Sequence, residues 1–274
     1  MKKKIALLLS AVMIFTMALT GCSSKESEEE SNQFRVGMEC GYAPFNWTQS
    51  DDSNGAVKIE GNDEYANGYD VQIAKKIAEG LGKELVIVKT EWDGLVPAIQ
   101  SGKIDAIIAG MSPTAERKKT IDFTDVYYTS DLVMVVKKGG EYENATKLSD
   151  FEGATITGQL NTFHYTVIDQ IKGVNKDTAM DNFPAMRVAL EYGKIDGYVS
   201  ERPEGVSAVA ANENFAMVEF TDGFKTSAED TAIAVGIAKD SDLLEKINEI
   251  LKGILEEERL KLMDDAIANQ PAQN

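Results

Sequence analysis

Apolar positions divide the chain into alternating strand-like and helix-like stretches. Phe34 to Met38 is a short apolar run that predicts a first strand. Tyr69 to Leu81 carries Val71, Ile73, Ala74, Ile77, Ala78 and Leu81 at helical spacing, and Gly82 supplies a stop. Leu85 to Val88 reads as a buried strand, Asp93 is placed to cap a helix ending at Gly102, and Ile104 to Ala109 predicts another strand. Tyr127 to Val136 is a long extended run that would cross between two lobes. A second alternating unit follows: a strand at Ala154 to Gly158, a helix opening at Asn161-Thr162 and running to about Ile171, a helix at Pro184 to Tyr192 and a strand at Ile195 to Val199. Ala232 to Ala238 is a further strand, Asp242 to Ala268 reads as one helix, and Gln270 onward is expected to fray. This alternation implies parallel sheets covered on both faces, with ligands at the C-terminal strand ends. The Glu39–Phe45 loop falls at such an end. Thr48 to Asn67, rich in Asp, Asn and Gly, is expected to be a surface insertion.

Two short segments echo each other. Gln100-Ser101-Gly102-Lys103-Ile104-Asp105 precedes one strand, and Glu191-Tyr192-Gly193-Lys194-Ile195-Asp196 precedes another. The shared helix–strand–loop context points to two lobes of similar build facing a common cleft. After the first echo comes Ile107-Ile108-Ala109-Gly110-Met111-Ser112-Pro113-Thr114-Ala115-Glu116-Arg117. Ser112 suits an N-cap and Pro113 a first helical position, so a helix is expected to start here. Free backbone N–H groups at such a start favour an anion, and Arg117 one turn in carries a fork that matches a carboxylate. An ordinary turn with a surface Arg would have the same spacing.

Composition narrows the chemistry. Lys2, Lys3 and Lys4 precede an apolar run from about Ile5 to Leu19, and Leu19-Thr20-Gly21-Cys22 follows. This predicts a secretory signal over residues 1–21. Cys22 at the cut resembles the lipidated residue of a bacterial lipoprotein, and residues 22–33, with Glu26, Glu28, Glu29 and Glu30, would form a flexible tether. No second apolar run is long enough to span a membrane, so the processed chain is expected to be held at the membrane by lipid only. Without the signal lysines, the 28 basic residues fall to 25 against 45 acidic ones, a net charge of about −20. Such a chain should avoid nucleic acid. With one histidine, His164, and no second unlipidated cysteine to pair with Cys40, neither a His-based metal or triad site nor a structural disulfide is expected. His164 reads as a bystander on its helix, Cys40 as a small buried residue, and Glu256-Glu257-Glu258 as a solvated helix face.

Four motifs carry a family resemblance. Tyr42-Ala43-Pro44-Phe45 follows the first strand, and Gly68-Tyr69-Asp70-Val71 opens the first helix. Gly110-Met111-Ser112-Pro113-Thr114-Ala115-Glu116-Arg117-Lys118-Lys119 precedes Ile121-Asp122-Phe123-Thr124, and Glu201 follows the strand of the second unit. Over roughly Phe34 to Ile267 the chain resembles the polar amino acid-binding proteins of bacterial ABC transporters, solute-binding proteins of family 3. The resemblance implies an α/β, two-lobed type II periplasmic-binding fold, each lobe a doubly wound sheet flanked by helices, joined by two hinge strands. The first lobe would span 34–130, the second 131–229, and a return segment 230–268 would complete the first before a tail at 269–274. Arg117, helped by Ser112, would clamp the ligand α-carboxylate, and Thr162 would reach it from the second lobe. Glu201 would take the α-ammonium with the Gly110 carbonyl. Tyr42 and Trp92 would sandwich the ligand, Glu39 would meet its side chain, and Thr114 and Phe163 are further ligand-binding candidates.

The chain departs from the family pattern at Asn161, where Gly is usual, at Glu201, where Asp is common, and at Phe163 and His164, which replace smaller residues. An α-amino acid is a zwitterion, and burying it requires a cation at one end and an anion at the other. Arg117 and Glu201 supply these charges from different lobes, so closure would depend on the ligand. The expected function is an extracytoplasmic, monomeric substrate-binding lipoprotein that needs no cofactor. It would deliver a polar or cationic L-amino acid to a membrane permease and, through it, to ATPase subunits. Glu39 beside Glu201 favours a cationic or amide side chain. One alternative is a cyclohexadienyl or arogenate dehydratase-like enzyme in which Glu201 or Glu39 protonates a leaving hydroxyl. Another is a receptor or adhesin that reuses the fold.

Overall fold

A computed structural model describes residues 32–271. The signal sequence, Cys22, most of the tether and residues 272–274 lie outside the described residues. The chain begins with β1 (Gln33–Met38), then β2 (Gly41–Tyr42), β3 (Asn46–Gln49), β4 (Val57–Lys58) and β5 (Tyr65–Asn67). Helix α1 (Tyr69–Leu81), β6 (Glu84–Lys89), α2 (Trp92–Gln100), β7 (Ala106–Ile107) and β8 (Asp122–Thr129) follow. The apolar stripe read from the sequence is the buried face of α1, and Gly82 ends the helix in a left-handed turn whose N–H donates to the carbonyls of Ala78 and Glu79. Thr48–Asn67 is not a loose insertion. Its strands β4 and β5 join β2 and β3 in a sheet of order β2-β3-β5-β4, and Ile59 and Ala66 within it are buried.

The second lobe runs through β9 (Leu132–Lys137), β10 (Thr155–Thr157), α3 (Phe163–Thr166), β11 (Asn175–Lys176), α4 (Phe183–Glu191), β12 (Gly197–Glu201), α5 (Arg202–Ala211) and β13 (Phe215–Val218). The chain then returns with β14 (Ala232–Ile237), α6 (Leu243–Gly253) and α7 (Glu256–Asn269). The two large sheets have the orders β6-β1-β7-β14-β8 and β11-β10-β12-β9-β13. Each is mixed rather than wholly parallel. β1 with β7, and β10 with β11 and β12, are parallel pairs, whereas β14 and β9 run antiparallel to their neighbours. The antiparallel strands are those next to the two crossings, where the chain turns straight back into the other sheet instead of passing through a helix. The crossings lie side by side, with the Ser130 N–H donating to the Thr231 carbonyl at 3.0 Å.

The sequence echo is one structural device used twice. Gly102 and Gly193 adopt φ of 72° and 66° after their helices, a left-handed turn that glycine enters without steric cost. Asp105 then donates its N–H to the Arg35 carbonyl and accepts the Arg35 N–H on its carboxylate, each at 2.8 Å. Asp196 makes the same pair of bonds with Thr155, also at 2.8 Å each. Both aspartates pin the start of an inner parallel strand and so set the register that aims its far end at the cleft.

The predicted Asp242–Ala268 helix is broken at Ile254-Leu255. Arg259 collects the freed backbone: it donates to the carbonyls of Leu251, Ile254 and Val126, tying the break to β8. The Asp93 side chain does not cap α2, whose preceding residue is Glu91. Gln270 is held rather than frayed, because its Nε2 donates to the Ser207 carbonyl in the second lobe at 3.1 Å.

Candidate functional site

Four contacts close the cleft between the lobes. Gln159 Nε2 donates to both carboxylate oxygens of Glu39, at 3.1 and 3.3 Å. Asn161 Nδ2 donates to Asp93 Oδ1 at 2.9 Å, and Arg117 Nη2 donates to the Asn161 carbonyl at 3.3 Å. Tyr42 and Phe183 stack across the gap at 4.4 Å with their planes 17° apart. Asn161 holds φ of 56°, a conformation Asn tolerates better than most residues. That explains why it can stand where glycine would, and its side chain then becomes a bridge.

The Gly110–Arg117 segment does not start an α-helix. It is an extended loop followed by a single 3-10 turn, Arg117–Lys119. Ser112 has a different bond from the cap expected of it: its hydroxyl donates to the Asp230 carbonyl at 2.7 Å, and its own carbonyl accepts from Arg117 Nη1 at 2.9 Å. Thr114 braces the same loop, with its N–H donating to the Ser112 carbonyl and its hydroxyl accepting the Arg117 N–H. The guanidinium lies over the Trp92 ring, 4.9 Å from its centroid. Burial lowers its pKa to about 10 and the nearby Asp230 carboxylate opposes this, so it stays cationic at neutral pH. Gly110 is left-handed, and a Cβ there would come within 2.7 Å of the Tyr42 ring. Glycine lets the aromatic lie flat on the loop.

Glu201 ends β12 at the opposite side and is 1% exposed. Neither of its carboxylate oxygens has a hydrogen-bond partner among the described residues. Burial, reinforced by the Glu204 carboxylate behind it, raises its pKa to about 8. Glu204 itself is fully satisfied: Arg187 donates to it at 2.7 and 2.9 Å, and Tyr198 and Ser200 also donate. His164 is buried beside Glu201. It is 5% exposed, with Nε2 3.5 Å from Glu201 Oε1 but outside hydrogen-bond geometry. Burial, then the Arg117 charge, lowers its pKa to about 3, so the ring is neutral.

Glu39 is 8% exposed, and burial raises its pKa to about 7 against the lowering bond from Gln159, with Glu91 and Asp93 adding to the rise. Beside it a groove of about 440 Å³ opens past Glu91, Trp92, Asp93, Leu160, Asp181 and Asn182. Thr162 sits next to Asn161 and donates its hydroxyl to the Gln159 carbonyl at 2.7 Å. Phe163 lies against His164, with centroids 4.4 Å apart and the rings tilted by 37°, and packs against the core of the second lobe. Cys40 is buried behind the loop, and Asp70 serves structure, accepting from Asn46 and Tyr127.

The arrangement therefore brings Gly110, Tyr42 and Glu201 towards one recess, through the stack of Tyr42 on Phe183 and of Phe183 edge-on to His164. Arg117, over the Trp92 ring and bonded to the Asn161 carbonyl, lies near enough for its charge to act on His164. A half-buried cation on one side and a buried carboxylate without a hydrogen-bond partner among the described residues on the other suit a small molecule carrying both charges. Phe183 and Gln159 are site residues that the sequence reading did not single out. Asn182-Phe183-Pro184 did carry a signal, an N-cap and a Pro at the helix start, which places Phe183 at the mouth-facing end of α4.

A model of the bacterial extracellular solute-binding proteins, family 3, matches residues 34–266. The chain is 27% identical over 257 residues to the arginine-binding extracellular protein ArtP of Bacillus subtilis (strain 168), covering 92% of each chain. It is 32% identical over 254 residues to a probable histidine-binding protein of Campylobacter jejuni subsp. jejuni, covering 88% of this chain and 90% of that one. Among solved structures, the amino acid ABC transporter substrate-binding protein AbpA of Streptococcus pneumoniae, bound to L-arginine, superposes with a TM-score of 0.74 at 26% identity, covering 89% of this chain and 98% of that one. With its two α/β lobes closed over a charged cleft, the chain belongs to the bacterial extracellular solute-binding proteins of family 3 and has their type II periplasmic-binding fold.

Proposed function

We propose that the protein captures a cationic L-amino acid, with arginine the leading candidate, outside the cytoplasm and passes it to the permease of an ABC importer. The observation that carries this reading is the buried Glu201 carboxylate, without a hydrogen-bond partner among the described residues, across the cleft from Arg117. Arg117 takes the α-carboxylate, with Ser112, Thr114 and Thr162 ordering the loops around it. Glu201 takes the α-ammonium together with the Gly110 carbonyl. Tyr42, Trp92 and Phe163 contribute aromatic surface, and Glu39 receives the side-chain cation. The acidic mouth supports a cationic cargo: Glu91, Asp93 and Asp181 line the groove beside Glu39. The relatives named for arginine and histidine point the same way.

Among the described residues no helix is long and apolar enough to cross a membrane. We assign attachment to a lipid on Cys22, with the protein working as a monomer on the outer face and contacting ATPase subunits only through the permease. The named relatives are binding proteins, and the dehydratase alternative is not favoured. Thermal unfolding of the ligand-stripped protein against the twenty L-amino acids tests the reading. A ligand at 100 times its Kd adds about 2.7 kcal/mol, or roughly 5–11 °C for a chain of this size. Arginine or another cationic amino acid should give the largest shift. No shift with any of the twenty would refute the assignment.

A further inference from the structure

The buried polar atoms that lack a hydrogen-bond partner among the described residues are the Tyr42 hydroxyl, both His164 ring nitrogens and both Glu201 carboxylate oxygens. One run of contacts links them. Tyr42 stacks on Phe183, Phe183 meets His164 edge-on with centroids 6.1 Å apart, and His164 Nε2 is 3.5 Å from Glu201 Oε1. Buried polar groups nearly always find partners, so a cluster of orphans marks where a partner from outside belongs. The imidazole lies between two rings, Phe163 tilted by 37° at 4.4 Å and Phe183 nearly perpendicular at 6.1 Å.

The charges around it keep the ring neutral. Burial and the Arg117 cation both disfavour imidazolium. Glu204, the next carboxylate behind Glu201, is already engaged by Arg187, Tyr198 and Ser200. A neutral imidazole presents one nitrogen lone pair as an acceptor. An ammonium carries several N–H donors, more than one carboxylate oxygen satisfies. We propose that His164 is a ligand-binding residue: its Nε2 accepts a hydrogen bond from the same ammonium that Glu201 takes, and the two side chains together form the ammonium recess. The assignment rests on the reading of the cleft as an amino acid site. It also gives a reason for glutamate at position 201, since the longer side chain brings its carboxylate alongside the ring.

His164 is the only histidine in the chain. An untagged, ¹⁵N-histidine-labelled protein therefore reports this ring alone. The stripped protein is titrated with L-arginine and then with the other nineteen L-amino acids. The expected spectrum is a neutral ring from pH 5 to 8 whose acceptor nitrogen shifts on saturation with the amino acid that binds. His164→Gln, which offers an amide oxygen near the place of Nε2, should keep affinity within about threefold. His164→Leu should weaken it roughly ten- to hundredfold, with the unfolding temperature of the empty protein little changed in either variant. If saturating ligand leaves the ring nitrogens unmoved, if the ring titrates near its ordinary pKa of about 6.5, or if both variants lose affinity equally, the assignment is overturned while the amino acid reading stands. If no amino acid binds the wild-type protein, that reading fails and this one falls with it.

Discussion

Replacing Glu201 with glutamine should make the empty protein more stable while destroying its binding. The carboxylate is buried, accepts no hydrogen bond, and has its pKa raised from 4.5 to about 8 by burial and by Glu204. A group whose folded-state pKa is raised lends stability that is fully present below the unfolded value and is lost as pH climbs through the folded one. The wild-type protein therefore loses stability between about pH 4.5 and 8. At about 1.4 kcal/mol per pH unit, the full loss approaches 5 kcal/mol, with about 3 kcal/mol of it present at pH 7. Opening the lobes admits water to the carboxylate, so these figures are ceilings. The amide has no charge to bury and forfeits no hydrogen bond. The empty Glu201→Gln variant should then unfold up to about 6–12 °C higher than wild type at pH 7, with the gap closing towards pH 4. Amino acid binding should weaken by about 2–5 kcal/mol, the cost of leaving the ligand ammonium without its anion. Calorimetric unfolding across pH 4 to 8, with and without ligand, measures both effects. A variant no more stable than wild type at pH 7, or a gap that does not change with pH, would refute the account of Glu201 as an uncompensated buried acid.

Arg117→Ala should cost about 2–5 kcal/mol of binding by unpairing the ligand carboxylate, and near-native affinity by titration calorimetry would contradict its role. Asn161→Gly keeps the positive φ and deletes the bond to Asp93. It should weaken binding by about 0.5–1.5 kcal/mol, expressed as faster release in stopped-flow measurements. Glu39→Gln should lower affinity for arginine at least tenfold and leave a neutral amino acid such as glutamine nearly unaffected, as read by competition binding. Glu39 has its pKa raised to about 7, so wild-type affinity for a cationic ligand should fall as pH drops from 8 to 6, and Glu39→Gln should reduce that dependence to the part that Glu201, with its pKa raised to about 8, imposes on every amino acid.

Local patterns that carry their own partners were legible in the sequence. The α1 stripe and its Gly82 stop lie within one helix, and each Gly-Lys-Ile-Asp echo encodes a turn and a carboxylate that pins the neighbouring strand. The failures share a cause: the deciding partner is far along the chain. Ser112 and Pro113 fit a helix start, but the Asp230 carbonyl, supplied by the return segment, takes the serine hydroxyl. At the break in the helix after Asp242, Arg259 takes up the carbonyls of Leu251 and Ile254 and ties them to Val126 in the distant β8. Polar residues between Thr48 and Asn67 hid the buried Ile59 and Ala66 of a small sheet. In the site, Arg117 and Glu201 stood out through motif and charge. Gln159 and Phe183 gained their places only when the second lobe folded against the first, and His164 only when its helix packed beside the end of β12, pairings that no spacing along the chain announces.

The most direct measurement is a crystal structure of the protein grown with L-arginine. The account predicts one molecule in the cleft, with its carboxylate on Arg117, its α-ammonium within hydrogen-bond distance of Glu201 and His164 Nε2, and its guanidinium towards Glu39. A ligand seated elsewhere, or one that leaves the Glu201 carboxylate as unpartnered as before, would contradict it.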